Sequence, residues 1–253
     1  MEYLRAFSSE LLKIKRTRAF ALSTGAPLAV TAFILTALLV AIHHRYVQDA
    51  WGFYLRGIAG SWCLIVTPLY VALLLALLTS IDHSAGAWKV LFSQPISRPP
   101  LYLAKLAVAL LLLAWSQFVL AISSVIGGFL LSAIRPHFGD FHRGPDITKL
   151  LTALLLAYLA SLLIIAIHLW LSVRIASFVL SLGVVILAEM ANVLGMHQRA
   201  LQVYWPWLYP VDAIQALGFQ SDVILSHLIA ASAIGATIVT ALAVWDFSRR
   251  EAF

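Results

Sequence analysis

Charge is scarce in this chain. Of its 253 residues only 11% are charged and 62% are hydrophobic, where a soluble domain carries about 25% and 45–50%. With a mean hydropathy of +0.94, this excludes an ordinary soluble domain and makes the chain an integral membrane protein of all-α class. Cysteine is nearly absent. Cys63 is the only one, so no intrachain disulfide can form, and its apolar surroundings make it a small packed side chain. The chain lacks a GxxxxGK[ST] phosphate loop, an HExxH and a Gly-x-Ser-x-Gly elbow, which excludes ATP binding by the phosphate-loop route and the hydrolases those motifs mark. No pair of carboxylates at a shared depth is expected from the sequence. Five of the eight histidines (His43, His44, His137, His142, His197) fall on predicted loops, irregularly spaced and without cysteine, so no metal is expected. No cleavable signal peptide is expected either, because the first long apolar run exceeds a signal h-region. The net charge of +6 reads as basic flanks of membrane spans, not as affinity for nucleic acid.

What the chain has in abundance is apolar runs of about 20 residues, the length that crosses a bilayer as a helix. Six spans are predicted, at 20–42, 57–80, 104–133, 149–172, 175–195 and 223–245, within one transmembrane domain over 1–253. The fourth and fifth are divided by a tight turn near Arg174. Pro68 is expected to kink the second, and Gly127-Gly128 to let a neighbouring helix approach the third closely. With the N-terminus inside, eleven of the seventeen Lys and Arg lie on the cytoplasmic side, which puts both termini in the cytoplasm.

Three segments do not span. Residues 2–18, EYLRAFSSELLKIKRTR, place Leu4, Phe7, Leu11 and Ile14 on one helical face. They read as an amphipathic helix in the membrane interface rather than a basic lead-in. Residues 81–98 face the cytoplasm. Asp82 or Ser84 can cap a short helix there that runs to Phe92 and is stopped by Pro95. Position alone leaves open a docking element or a turn anchored by interfacial Trp88. Residues 196–222, broken by Pro206 and Pro210, fit an outer re-entrant hairpin with Tyr204, Trp205, Trp207 and Tyr209 at headgroup depth.

Few polar groups are embedded. Glu189 and Asn192 share a face at i and i+3. An ionisable residue inside a membrane raises a functional site, but Glu189 lies near the outer boundary, and a structural bond to the hairpin is the preferred reading. His168 is expected to be packed or interfacial. Asp246 and Arg249 are expected to pair with each other or with the N-terminal helix.

Taken together, these parts resemble the permease subunits of type-2 ABC transporters. Glu10-Leu-Leu-Lys13-Ile-Lys15-Arg16 looks like that family's Glu-x-x-Lys-x-x-Arg interfacial helix. Gly86-Ala87-Trp88-Lys89, followed by Phe92, Pro95-Ile-Ser97-Arg98 and Lys105, is similar to its coupling-helix pattern, with Asp82 where the family more often has Glu. Within the family the pattern resembles the small permeases of bacitracin and lantibiotic self-resistance exporters. The resemblance implies two copies of a separate ATPase that hold ATP and Mg, a second permease, identical or related, and a bacterial inner membrane around them. It implies ATPase coupling through Ala87, Trp88, Lys89, Phe92, Glu10, Lys13 and Arg16, and a translocation path or hairpin supported by Glu189, Asn192, Trp205 and Trp207. The expected cargo is amphipathic or lipophilic, such as a peptide antibiotic. The rival readings are an ATP-independent secondary transporter, which would need coupling ions or a polar pore and usually internal repeats, and a lipid-handling membrane protein or membrane enzyme.

Overall fold

The computed structural model describes residues 2–15, 17–41, 46–84, 97–141, 144–175, 177–195, 204–218 and 222–249. They form helices in the order α1 (Glu2–Ile14), α2 (Ala19–Ala41), α3 (Ala50–Ser61), α4 (Thr67–Ser84), α5 (Arg98–Ile134), α6 (Ile147–Ala160), α7 (Leu162–Arg174), α8 (Phe178–Gly195), α9 (Tyr209–Gly218) and α10 (Asp222–Ser248). A π-helical turn, Trp62–Val66, joins α3 to α4 without a break in the span. Pro68 follows at once. A proline has no N–H and crowds the carbonyl one turn back, so the helix widens there, and the Thr67 N–H reaches the Trp62 carbonyl instead of that of Cys63. Where a kink is expected at Pro68, the structure shows this widening within one continuous helical stretch.

Among the described residues, four helical stretches are long and apolar enough to cross a membrane: α2, α3–α4, α5 and α10. The α6–α7 pair, bent by 41° at Ser161, is long and apolar enough for a fifth when it is counted as one broken span. The remaining expected span, 175–195, is a shorter apolar helix, with Val179–Asn192 as its apolar part, below the length of about 20 residues that a perpendicular crossing needs. Ser232 of α10 fills the break at Ser161. Its hydroxyl donates to the carbonyls of Leu159 and Ala160, both at 2.9 Å, two acceptors that the interrupted helix would otherwise strand.

The helix α3–α4 is central. Of its apolar stretch 56% is buried, against 17% for α10. It packs on α2, α5, α7 and α8. Polar pins cross the apolar interior: Tyr70 donates to Ser23 (2.8 Å) and to the Leu112 carbonyl (3.0 Å), and Thr31 and Ser123 bond at 2.9 Å. In an apolar medium such groups gain from finding partners on neighbouring helices. The close approach expected at Gly127-Gly128 is present. A Cβ on Gly127 would stand 2.2 Å from Tyr54 Oη, and one on Gly128 2.0 Å from the Trp51 indole.

The two ends of the bundle differ. At one, a parallel bridge pairs Val47 with Gly139, and Trp51 packs edge-on against Phe129 and Phe141. At the other lie α1, the C-terminal ends of α4, α7 and α10, and the start of α5, and there the charge collects.

Candidate functional site

Four charged side chains from three helices close a ring at that end. Lys13 Nζ of α1 reaches Glu10 Oε1 at 2.6 Å and Asp82 Oδ1 at 2.7 Å. Lys105 Nζ of α5 reaches Glu10 Oε2 at 2.8 Å and Asp82 Oδ2 at 2.6 Å. Each carboxylate therefore bridges both ammonium groups, and the formal charges cancel. The ring is dry. The side chains of Lys105, Glu10 and Asp82 are 4%, 3% and 0% exposed, and the gap between them and Tyr102, Val173 and Phe247 is about 10 Å³, at the lower limit for one water. Burial alone would draw the proton off Lys13, but the carboxylates of Glu10 and Asp82 outweigh it and hold the ammonium above the ordinary lysine value.

Asp82 is thus not the helix cap considered for it. It lies inside α4, and its carboxylate is consumed by the two lysines. The apolar stripe of helix α1 is divided between the core and the outside. Glu10 and Ala6 are buried with Lys13 beside them, Phe7 and Ile14 pack on the core, and Leu4 and Leu11 point outward. In a membrane protein the exterior is the apolar solvent, so a helix can keep its charges inward and its leucines out.

Further bonds hold the two chain ends that flank residues 85–96. On one side His83 Nε2 donates to the Ser172 carbonyl of α7 at 2.9 Å. On the other, Ser97 Oγ donates to Glu2 Oε2 of α1 at 2.5 Å, and Arg98 donates to the Ser248 carbonyl of α10 at 2.9 Å. Asp246, expected to meet Arg249 or α1, instead accepts two hydrogen bonds from Arg174 (3.1 and 2.9 Å) and one from Trp170 Nε1 (3.0 Å). The planar guanidinium matches a carboxylate in this fork geometry. Arg249 stands over the Trp245 ring at 4.1 Å from its centroid.

Of the residues expected to couple to an ATPase, Glu10 and Lys13 fall in the ring. Ala87, Trp88, Lys89, Phe92 and Arg16 lie outside the described residues. The hairpin set divides. Trp205 Nε1 donates to Asn192 Oδ1 at 2.7 Å, so the bond from this segment to α8 runs through Asn192, whereas the sequence reading expects it from Glu189. Trp207 Nε1 donates to the buried His168 Nε2 at 3.2 Å, and the two indoles lie 5.1 Å apart. Trp205, Trp207 and Tyr209 are therefore turned into the protein rather than ranged as a belt, and only Tyr204 is well exposed, at 78%. Glu189, one turn earlier on α8, lies beside Asn192, with its Oε1 buried and without a hydrogen bond. Reading the sequence did not pair Asp82 and Lys105 with α1. The available signal was that these charges interrupt apolar helices close to their ends.

The chain is a multi-pass helical bundle in which α1 is locked by buried charge to two apolar helices long enough to span a membrane, with no cluster of metal-ligating side chains among the described residues. Residues 6–192 match the model of the ABC-2 family transporter protein, and the chain belongs to the ABC-2 transporter family. No curated protein and no solved structure matches it.

Proposed function

We propose that this chain is the transmembrane subunit of an ATP-driven exporter, pairing with a second permease and with two copies of a separate ATPase that carry ATP and Mg. The bacterial inner membrane holds it with both termini cytoplasmic, six spans counting α8, and the 196–222 segment dipping inward as a re-entrant hairpin. The observation that carries this reading is the buried ring. It joins α1 to α4 and α5, the two helices that bracket residues 85–96. A force applied to that segment by a docked ATPase is then delivered to α1 and both spans together. Packed helices move as rigid bodies, so a small rotation at their base becomes an opening further along.

The placement of α1 and the last turn of α10 at one end of the bundle supports termini on the same side. The depth of Trp207, bonded to the middle of α7, supports the dipping hairpin. Within the segment, Trp88 supplies the aromatic anchor and Lys89 the complementary charge, and Ala87, Phe92 and, after α1, Arg16 are further coupling residues. The low charge of the chain suits an amphipathic or lipophilic cargo such as a peptide antibiotic, as the resemblance to bacitracin and lantibiotic exporters implies.

The test is affinity purification of the tagged chain from detergent-solubilised native membranes, with a phosphate-loop ATPase sought in the eluate. The wild type should bring it down, and Trp88→Ala with Lys89→Ala should lose it while the permease stays folded. Absence of any ATPase, or retention by the double variant, overturns the reading.

A further inference from the structure

We propose that the turn carrying Trp205 and Trp207 is a plug between α7 and α8, and that its withdrawal opens a polar cleft between those helices on the side away from the ion ring. The two helices leave a shared turn at the ion-ring end, where the Ser172 and Ser181 hydroxyls meet at 3.3 Å. Further from that turn the indoles bridge them. Trp207 holds His168, one turn from Ser172 on the buried side of α7. Trp205 holds Asn192, about 21 Å along α8 from Phe178 at 1.5 Å per residue. The indole rings lie 5.1 Å apart, and the imidazole stands at 87° to the Trp207 ring.

The plug covers polar atoms that it does not satisfy. An indole N–H can only donate, so His168 Nε2 carries no proton and the proton of the neutral imidazole sits on Nδ1. That nitrogen is buried and has no acceptor among the described residues. Asn192 Nδ2 and Glu189 Oε1, beside each other on α8, have no hydrogen bond either. Both His168 and Asn192 are 0% exposed. A buried polar atom without a partner is destabilising, and that penalty applies only while the indoles keep other partners out. With the turn withdrawn, the three side chains face an opening in which water, or the polar end of an amphipathic cargo, can bond to them.

The fastening is of a releasable kind. Two neutral hydrogen bonds hold the turn to α7 and α8, and such bonds between membrane helices are individually modest, whereas the opposite end of the bundle is tied by a ring of four charges. The purpose of the plug rests on the exporter reading, since an exporter needs an outer barrier that opens.

Thiol labelling tests the plug. Ala188 is buried on the row Ser181, Val185, Ala188, Asn192, whose two ends meet Ser172 and Trp205. The intact chain with Ala188→Cys, in sealed native membrane vesicles, is exposed to a membrane-impermeant maleimide on the side away from the ion ring; Cys63 is buried. Labelling should be slow. Trp205→Phe with Trp207→Phe keeps both rings but removes both N–H donors, and should speed it about ten-fold. Trp207→Phe alone should give a smaller rise, and carries the test if the double variant does not purify as a single species. Tyr204→Phe, on the 78% exposed residue of the same turn, should change nothing. An unchanged rate in the Trp variants overturns the proposal. So does an equal rise in Tyr204→Phe, or labelling only from the ion-ring side. The labelling involves no ATPase, so its failure leaves the exporter reading standing, and absence of an ATPase leaves the labelling result standing.

Discussion

Lys105 is the residue on which the ring closes. Its ammonium touches both carboxylates and lies 3.5 Å from the Leu78 carbonyl. Removing it leaves two buried carboxylates sharing Lys13, and breaking a buried pair from one side costs about 3–5 kcal/mol. Removing a matched charge at the same time relieves much of that. Lys105→Met and Asp82→Leu should each destabilise by that order, and the double variant should fall short of their sum by about 1–3 kcal/mol. Denaturant unfolding in detergent measures all three, and simple additivity would mean that the ring does not act as a unit. The ring was only partly legible in the sequence. Glu10, Lys13, Asp82 and Lys105 each stood out as charges among apolar residues, but the partners of Lys105 lie 23 and 95 positions away. Helical spacing informs about neighbours three or four residues apart and is silent on which distant helices meet.

Among the elements, α1 shows how an apolar stripe can be seen correctly and yet not reveal which way it faces. The stripe says only that the helix has two unlike sides. In water the apolar side goes to the protein, and at a membrane interface it can equally go to lipid. Here Leu4 is 66% exposed and Glu10 only 3%, so the polar side is the docking side. The consequence for pH follows from Lys13, whose carboxylate partners raise its folded value above the ordinary 10.5. A raised lysine stabilises the docked helix below its unfolded value, and the contribution is lost as pH climbs through the folded one. Docking of α1 should therefore be insensitive to pH across the neutral range and weaken above about 10.5. Hydrogen exchange of α1 amides over alkaline pH, compared with Lys13→Met, reads this. The wild-type dependence should be absent from the variant, and an identical profile in both would exclude Lys13 as its source. The hairpin aromatics went the other way. Pro206 and Pro210 rightly marked a broken segment, but composition alone could not show that Trp205 and Trp207 have buried acceptors on α8 and α7.

At the level of the whole molecule, hydropathy carried most of the architecture, because a membrane helix must bury its own backbone polar groups in an unbroken apolar run. It located α2, α3–α4, α5 and α10. It did not show the 41° bend at Ser161, since a serine inside an apolar run is compatible with a straight helix until Ser232 of another helix supplies the replacement bonds. The bundle is fastened at one end by the ring, by Arg174–Asp246 and by Ser97–Glu2. If α1 and α5 travel as one body during transport, linking them covalently costs nothing. Cys63 is buried, so new surface thiols can be addressed selectively. Glu2→Cys with Ser97→Cys, joined by a short bis-maleimide, should leave ATP-driven transport in proteoliposomes within about two-fold of the unlinked protein, whereas transport abolished only after cross-linking would show that the two helices must part.

The ring also bears on how the chain enters its membrane. Asp82 and Lys105 sit on consecutive spans and meet at 2.6 Å. Offered to lipid singly, each span would carry an uncompensated charge, at a cost of up to about 2.5–3.5 kcal/mol on insertion scales and less near a helix end. Offered together as a hairpin, the two spans present a neutral pair. Biogenesis is therefore simplest if the second span waits beside the translocon until the third has emerged, with the amphipathic N-terminus adding its own Glu10 and Lys13 to the neutral pair afterwards.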